Sequence, residues 1–228
     1  MAHVMVWRQE GVVMQSRSEQ DGLACLQDTD LHILSVGIST AGRAEIAMAQ
    51  QNPLRHIVAT TLDASGAATT REQIARAGLT DRITVKLEDI SADALPYEAE
   101  RFDFVYARLV LHYLSAQALE AALDSIHKII KKEGRLFVVV RSTDSEEIHK
   151  STNIVTDEET QLTTYINPEG VAATRYFHTQ QSISDALRRH GFTIDRIIQF
   201  DEDLSTSFDR KNGVWHPNNL IEVIAHKP

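Results

Sequence analysis

The chain has 228 residues and a hydrophobic content of 43%, which suits one α/β domain with a single sizeable core. A formal net charge of -9 disfavours nucleic acid or an anionic membrane surface as the main partner. With only one cysteine and no close pair among the ten histidines, neither a disulfide framework nor a metal site is expected. The chain carries no long apolar run and no basic, apolar start of a signal peptide, so we expect a cytoplasmic protein.

Five short apolar runs are separated by stretches with helical spacing, and this alternation predicts a parallel sheet flanked by helices. Runs such as Leu-Phe-Val-Val-Val are continuously apolar, which is typical of strands that are buried on both faces. The predicted strands occupy residues 33–36, 56–62, 82–87, 102–107 and 136–140.

Two helices have clear end signals. Ser115 is a predicted N-cap of a helix whose apolar stripe continues to Ile130 and whose predicted stop is Gly134. Thr179 can cap a second helix that ends at Gly191, with further strands predicted at 192–200 and 220–226.

The domain organisation follows from these elements. Residues 1–30 are predicted as an N-terminal helical segment and residues 31–228 as one domain. Within it, residues 142–178 are polar and contain a turn at 167–170, which is consistent with a lid or with a merely solvated excursion.

The stretch L-H-I-L-S-V-G-I-S-T-A-G at residues 31–42 passes from an apolar strand through small residues into a helix, the arrangement of a nucleotide-cofactor turn. Small residues allow a ligand to lie against the main chain, and the first N–H groups of the helix are free donors. The pattern is incomplete, because Ser39 and Ala41 stand where closer approach is usual.

Four segments together resemble the class I S-adenosylmethionine-dependent methyltransferases over roughly residues 30 to 140. They are V-G-I-S-T-A-G, T-T-L-D, L-T-D-R-I-T-V-K-L-E-D-I, and F-D-F-V-Y-A-R-L-V-L-H-Y-L-S followed by I-H-K-I-I-K-K-E-G-R-L-F-V-V. The resemblance implies a doubly wound, mostly parallel seven-stranded sheet with an antiparallel C-terminal strand. It also implies an enzyme that uses S-adenosylmethionine and releases S-adenosylhomocysteine.

The resemblance further implies the cofactor-binding residues. Asp63 would accept from the ribose hydroxyls and Asp89 from the adenine amino group, with Ile90 offering an apolar face; the alternatives are a helix cap for Asp63 and a solvated or Arg82-paired carboxylate for Asp89. Ser35 occupies a position where the family often has an acid, and another acid can substitute for it. The remaining expected contacts are Gly37, Ser39, Ala41, Ala107 and Arg108.

Methyl transfer is an in-line displacement that needs a base only when the acceptor must lose a proton. His112 and His178 are the candidate bases, and the alternative for each is a structural histidine. Aromatic residues that could wall the acceptor site, or simply fill the core, are Tyr106, Tyr165, Tyr176, Phe177 and Trp215.

Two other functions fit parts of the sequence. Gly37-x-Ser39-x-x-Gly42 can be aligned with the dinucleotide fingerprint, but Ser39 replaces the glycine that lets the pyrophosphate approach. The altered loop and Ser35 are also compatible with a non-catalytic binding or scaffold relative. We expect a small-molecule acceptor selected by residues 142–178 and the N-terminal segment; a homodimer is left open.

Overall fold

The computed structural model describes residues 16–38, 40–92, 95–205 and 215–228. Its helices and strands alternate along the chain, as the apolar runs predict. In order they are α1 (Arg17–Ala24), β1 (His32–Val36), α2 (Arg43–Gln51), β2 (His56–Thr61), α3 (Ala64–Arg76), β3 (Ile83–Leu87), β4 (Phe102–Arg108), α4 (Ala116–Ile129), β5 (Ile130–Arg141), α5 (Glu146–His149), β6 (Thr152–Thr156), β7 (Thr163–Ile166), β8 (Ala172–Arg175), α6 (Gln180–Arg189), β9 (Thr193–Ser205) and β10 (Trp215–His226).

The main sheet has seven strands in the order β3-β2-β1-β4-β5-β10-β9. Its neighbours pair in parallel except at β10, which is antiparallel to both β5 and β9. The chain reverses its direction of winding between β1 and β4, where open α/β sheets bind ligands beyond the carboxyl ends of their strands. The predicted Rossmann-like methyltransferase fold is therefore confirmed.

The sheet is covered on both faces. One face packs against the apolar stripes of α4 and α6, including Leu123 and Leu187, and the other packs against α2, including Met48. Ser115 and Thr179 cap α4 and α6 by accepting backbone N–H groups, as predicted. These layers fix the strand ends on which the site is built.

The end of α4 differs from the prediction. The helix stops at Ile129 and the chain passes directly into β5 at Ile130, rather than continuing to a glycine stop at Gly134. Lys131 lies on this strand, where its Nζ is 2.6 Å from the Asp103 carboxylate. The strand pairing outweighs the helical pattern, which does not distinguish a buried helix end from a buried strand.

The polar stretch 142–178 has more regular structure than its composition suggests. It contains the short helix α5 and a separate antiparallel sheet in the order β6-β7-β8. We call residues 142–178 the lid segment. Its two ends meet, because His178 N donates to Arg141 O at 2.9 Å and Thr143 N donates to His178 O at 2.9 Å.

Residues 1–15 of the predicted N-terminal segment lie outside the described residues, and α1 is the helix in the described remainder. α1 packs near the ends of β4 and β9. Ser18 N donates to Glu202 Oε2 at 3.2 Å, and the Ser16 and Ser18 hydroxyls accept hydrogen bonds from Arg108. Hydrogen bonds thus join the N-terminal segment to the end of β4 at Arg108 and to Glu202 of β9.

Candidate active site

The cofactor turn begins where buried β1 ends. Gly37 has a φ of 74° and Gly42 a φ of 76°, and between them Ala41 also has a left-handed backbone with a φ of 53°. A Cβ on Gly37 would lie 2.7 Å from the Val110 side chain, so both the backbone angle and the space require glycine. Ser39 lies outside the described residues, and its predicted role stays a prediction.

A buried carboxylate lies directly beside this turn. The Ser35 hydroxyl on β1 donates to Glu45 Oε1 at 2.6 Å, and neither side chain is exposed to solvent. Glu45 comes from the first turn of α2, where the helix dipole favours negative charge. An acidic side chain from α2 therefore lies next to Ser35, and its role as the substitute acid for the cofactor stays a prediction.

Asp63 lies two residues beyond the end of β2, at Thr61, and is exposed. Its Oδ1 accepts Ser65 N at 2.9 Å, so the side chain is the N-cap of α3. The cap uses one oxygen of an exposed carboxylate at the cofactor edge of the sheet. The structure therefore shows the helix cap that was the alternative role of Asp63, and the ribose contact stays a prediction.

Asp89 and Ile90 follow β3 at the same edge. Asp89 is exposed and its Oδ1 accepts both Ser91 N at 2.9 Å and Ser91 Oγ at 2.7 Å. The alternative pairing with Arg82 is not formed, because Arg82 donates to Ala49 O at 2.7 Å and to Asn52 O. Ile90 is buried and packs in the core.

The end of β4 is joined to the N-terminal segment through Arg108. Ala107 is fully buried, and the Arg108 guanidinium donates to Ser18 Oγ at 2.7 Å and Ser16 Oγ at 2.5 Å. Its side chain is thereby committed to the N-terminal segment. The residue that follows, Leu109, has a φ of 55°, and this left-handed bend directs the chain so that Val110 contacts Gly37.

His112 and His178, the predicted bases, are both 1% exposed. Within the part of the chain that the structure describes, neither ring of the two has a hydrogen-bond partner at either nitrogen. Burial lowers the pKa of His178 to about 4, and burial together with the charges of Arg141 and Arg175 lowers the pKa of His112 well below its usual range. Burial therefore favours the neutral form of both imidazoles, and the lowered pKa makes each a weaker base than an ordinary histidine.

A cavity of about 520 Å³ lies between the lid segment and the ends of the central strands. Its walls come from the turn after β4, the end of β5, the start of β10, the end of β9 and the lid. The lining residues are Tyr113, Arg141, Glu146, Glu147, Lys150, Asn167, Pro168, Glu169, Arg175, Leu204, Pro217 and Asn218. A volume of this size suits a small organic molecule.

The aromatic residues that were predicted to wall the acceptor site or to fill the core lie in different parts of the structure. Tyr106 belongs to the core, where it stacks on Phe137 with ring centroids 5.4 Å apart, and it is therefore not an acceptor wall. Tyr176 lies 4.1 Å from the His178 ring, and Tyr165 donates to Glu147 Oε1 at 2.8 Å. Phe177 packs 5.7 Å from Tyr165, and the side chain of Trp215 lies outside the described residues.

Glu45, Val110, Arg141, Glu147 and Arg175 belong to this site and were not among the predicted residues. Glu45 lies in the first turn of the predicted helix after the glycine loop, which could have marked it as the substitute acid. Val110 is brought to Gly37 by the bend at Leu109, and the other three residues meet where the lid packs at the end of β5, so no local signal identifies them.

Metal and membrane features were also considered. The described residues contain no group of three or more His, Cys, Asp or Glu side chains placed to hold a metal ion. Among the helices in those same ranges, none has the length and apolar character to cross a bilayer.

Comparisons with known proteins give a domain match and similar folds. Residues 34–138 match the model of a methyltransferase domain. No curated protein sequence matches the chain. Among solved structures, an S-adenosylmethionine-dependent methyltransferase from Methanosarcina mazei is similar with a TM-score of 0.64 and 17% identity, over 89% of this chain and 94% of that chain.

Two further structures have the same architecture. A methyltransferase of the same cofactor class from Mesorhizobium loti gives a TM-score of 0.63 at 17% identity, over 92% of this chain and 97% of that one. The [4+2]-cyclase SpnF gives 0.65 at 17% identity, over 93% and 80%. At such identities these likenesses show the fold, and one of them carries another activity.

Residues 34–138 match a methyltransferase domain, and the fold is that of the S-adenosylmethionine-dependent methyltransferases. Both findings are consistent with the class I family that the sequence resembles. The residues of the chain fit the cofactor: an obligatory glycine turn offers main-chain donors, Glu45 supplies a buried negative charge beside it, and Asp63 and Asp89 present exposed carboxylates.

Proposed function

We propose that this protein transfers the methyl group of S-adenosylmethionine to a small molecule held in the cavity beneath the lid segment. One observation carries the proposal. The single stretch 110–113 joins the two parts of the site, because Val110 contacts Gly37 of the cofactor turn and Tyr113 lines the cavity. A bound acceptor would therefore lie beside the cofactor turn.

When bound, the sulfonium cofactor supplies an electrophilic methyl group, and the electron pair of the broken carbon–sulfur bond stays on sulfur. The chain then has two tasks: to align the acceptor and to exclude water. If the acceptor atom carries a proton, His178 or His112 would accept it as the new bond forms. Either imidazole would need to turn or exchange a neighbour to reach the acceptor, because both are enclosed.

The residues of the turn also bear on the two alternative functions, a nicotinamide-dependent oxidoreductase and a non-catalytic relative. A nicotinamide enzyme would need close approach of pyrophosphate to the turn, where Ser39 stands in place of the middle glycine. A non-catalytic relative was suggested by the altered glycine loop and by the lost acid at Ser35, and the carboxylate of Glu45 beside Ser35 weakens the second of these reasons. Both remain outcomes of the binding experiment.

The test is calorimetric titration with S-adenosylhomocysteine, S-adenosylmethionine and NADH. We expect the two sulfur compounds to bind and NADH not to bind. Saturable binding of NADH alone would favour the oxidoreductase, whereas binding of the sulfur compounds without methyl transfer to any acceptor in a metabolite mixture would favour the non-catalytic relative.

A matched pair of glycine variants makes the titration specific. Gly37→Ala places a Cβ 2.7 Å from Val110 in a left-handed backbone, and we expect it to abolish cofactor binding. Gly78→Ala imposes similar backbone strain, at a φ of 69°, where no atom lies within 4 Å of the new Cβ. Normal binding by this control shows that strain alone does not explain the loss.

A further inference from the structure

Unpartnered polar atoms concentrate between the cavity and the lid hinge. In the described part of the chain, both nitrogens of His112 and of His178 and the Nε atoms of Arg141 and Arg175 are buried without a hydrogen-bond partner. These four residues are close enough for their charges to act on one another, since Arg141, Arg175 and His178 all lower the pKa of His112. Native proteins leave few such groups unpaired, so a cluster of them calls for a ligand or solvent.

The two arginines of the cluster differ in their partners. Arg141 at the end of β5 is paired with the carboxylate of Glu147 and donates to Asn218 Oδ1. Glu147 is held in turn by the Tyr165 hydroxyl, so the charge of Arg141 is already paired and its Nε–H is left without a partner. The positive and negative charges of this pair balance.

Arg175 has no such partner. Its guanidinium lies 4.3 Å from the centroid of the Tyr113 ring and donates from NH1 to its neighbour's carbonyl, Thr174 O. Among the residues that the structure describes, no carboxylate lies within ion-pair distance of it. Stacking on an aromatic ring orients the planar fork and leaves N–H groups for a ligand, which is how arginine recognises carboxylates.

We propose that Arg175, oriented by Tyr113 and adjoining Arg141, binds a carboxylate group of the methyl acceptor in this cavity. This inference rests on the proposed function, because it identifies the chemical class of the acceptor. The carboxylate would fix one end of the molecule at the lid, and the rest would extend along the turn 110–113 toward the methyl group.

A carboxylate fits the cavity better than a phosphate group. Among the described residues, the lining contains three cationic side chains, Arg141, Lys150 and Arg175, and three carboxylates, Glu146, Glu147 and Glu169. These six formal charges sum to zero, so this part of the wall attracts a single negative charge at Arg175 but offers little to offset a dianion. An otherwise uncharged molecule with one carboxylate would be attracted to Arg175 and would bring no second negative charge into the cavity.

The experiment follows the arginine side-chain Nε–H resonances by NMR in the full chain saturated with S-adenosylhomocysteine. Sodium acetate is the probe, sodium chloride at equal ionic strength and acetamide are controls, and inorganic phosphate is a separate arm. We expect acetate to shift the Arg175 and Arg141 resonances saturably, acetamide and chloride not to do so, and phosphate to bind more weakly than acetate.

Variants separate the subsite from general charge effects. Arg175→Gln should weaken acetate binding about tenfold or more, measured by the shift of the Arg141 Nε–H resonance. Arg175→Lys should recover part of this affinity. Arg76→Gln, which removes a 69% exposed arginine from α3, should change nothing. A thermal melt of each variant checks that it is folded.

The contrary results are distinct. If acetate moves no arginine resonance beyond the chloride control while S-adenosylhomocysteine binds, the carboxylate subsite is wrong and the proposed function stands. Stronger binding of phosphate than acetate would also overturn the carboxylate assignment. Failure of S-adenosylhomocysteine to bind overturns the proposed function, whatever acetate does.

Discussion

The Ser35 hydroxyl donates a hydrogen bond to Glu45 Oε1 at 2.6 Å, and both side chains are fully buried beside the cofactor turn. The acid commonly found at the end of the first strand is replaced here by a two-residue arrangement. The strand supplies the donor and α2 supplies the carboxylate. A buried charge of this kind is retained only when hydrogen bonds offset the cost of desolvation.

This arrangement predicts that Glu45 contributes charge to cofactor binding. Glu45→Gln keeps the size and an oxygen that accepts from Ser35, but it removes the negative charge near the expected site of the cofactor's ammonium group. We expect the affinity for S-adenosylhomocysteine, measured by calorimetry, to fall about tenfold, which corresponds to about 1.4 kcal/mol. Glu72→Gln on exposed α3 is the control, and equal affinities in the two variants would contradict the role.

Asp63 has two separable roles, and two substitutions distinguish them. Asp63→Ala removes both the α3 cap, which costs about 1 kcal/mol of unfolding free energy, and the predicted ribose contact. Asp63→Ser keeps a capping oxygen but loses the charge. We expect both variants to bind S-adenosylhomocysteine about tenfold or more weakly, while Asp63→Ser alone keeps its stability.

Urea denaturation and calorimetry on the same samples measure the two effects. Wild-type affinity in a folded Asp63→Ser variant would show that the carboxylate serves only as a helix cap. Asp81→Ser, at an exposed position before β3, tests whether loss of an acidic charge at a more distant site has any effect.

The sequence predicted those features that depend on one segment at a time. The strands, the caps at Ser115 and Thr179 and the glycine turn each have a local pattern. The family resemblance supplied the mostly parallel seven-stranded sheet and its antiparallel C-terminal strand. The cavity could not be found in this way. Arg141 and Arg175 are 34 positions apart and line the same cavity, because β8 and the end of β5 both contact the turn after β4. Nothing in their flanking residues encodes that placement.

The error at the end of α4 has the same origin. The apolar residues up to Ile130 fit a helix as well as a strand, and the choice is made by pairing with β4, where Phe102 lies opposite Ile130. Arg108 was predicted at the cofactor's edge because of its position at the end of β4, and that placement stays a prediction. No local pattern shows that its guanidinium donates to Ser16 and Ser18, which lie 92 and 90 residues earlier.

His178 should make the stability of the protein depend on pH. Its pKa is about 4 in the folded protein against 6.5 for an ordinary histidine, so between these values the unfolded chain binds a proton that the folded one does not. The unfolding free energy therefore decreases as the pH falls below 6.5. The loss from this residue is about 2 kcal/mol at pH 5 and about 3 kcal/mol below pH 4.

Urea denaturation at pH 7 and pH 5 compares wild type with His178→Gln and with His149→Gln, which alters an exposed histidine of α5. We expect His178→Gln to reduce the difference between the two pH values by about 2 kcal/mol and His149→Gln to leave it unchanged. His112 acts in the same direction, so a remaining slope in His178→Gln is expected. An unaltered slope would mean that His178 is not held neutral by burial.

The lid segment should close when the acceptor binds. Its outer strand β6 is exposed along all five residues, including Ile154 and Val155, so few packed contacts hold it in the apo protein. A sulfonium must meet its nucleophile away from water, and the carboxyl edge of the sheet needs a cover for that. The hydrogen bonds between His178 and the residues on either side of Ser142 provide a fixed base for the movement.

Hydrogen exchange measured by mass spectrometry tests the closure in three states: apo, with S-adenosylhomocysteine, and with S-adenosylhomocysteine plus an acceptor identified by methyl-transfer assay. We expect S-adenosylhomocysteine alone to protect the turn around Gly37, and the acceptor to add protection in residues 142–178. Peptides from α6 serve as the internal reference. If the lid segment exchanges as fast in the ternary complex as in the apo protein, while the Gly37 turn is protected, the lid does not close and the N-terminal segment joined to Arg108 must select the acceptor.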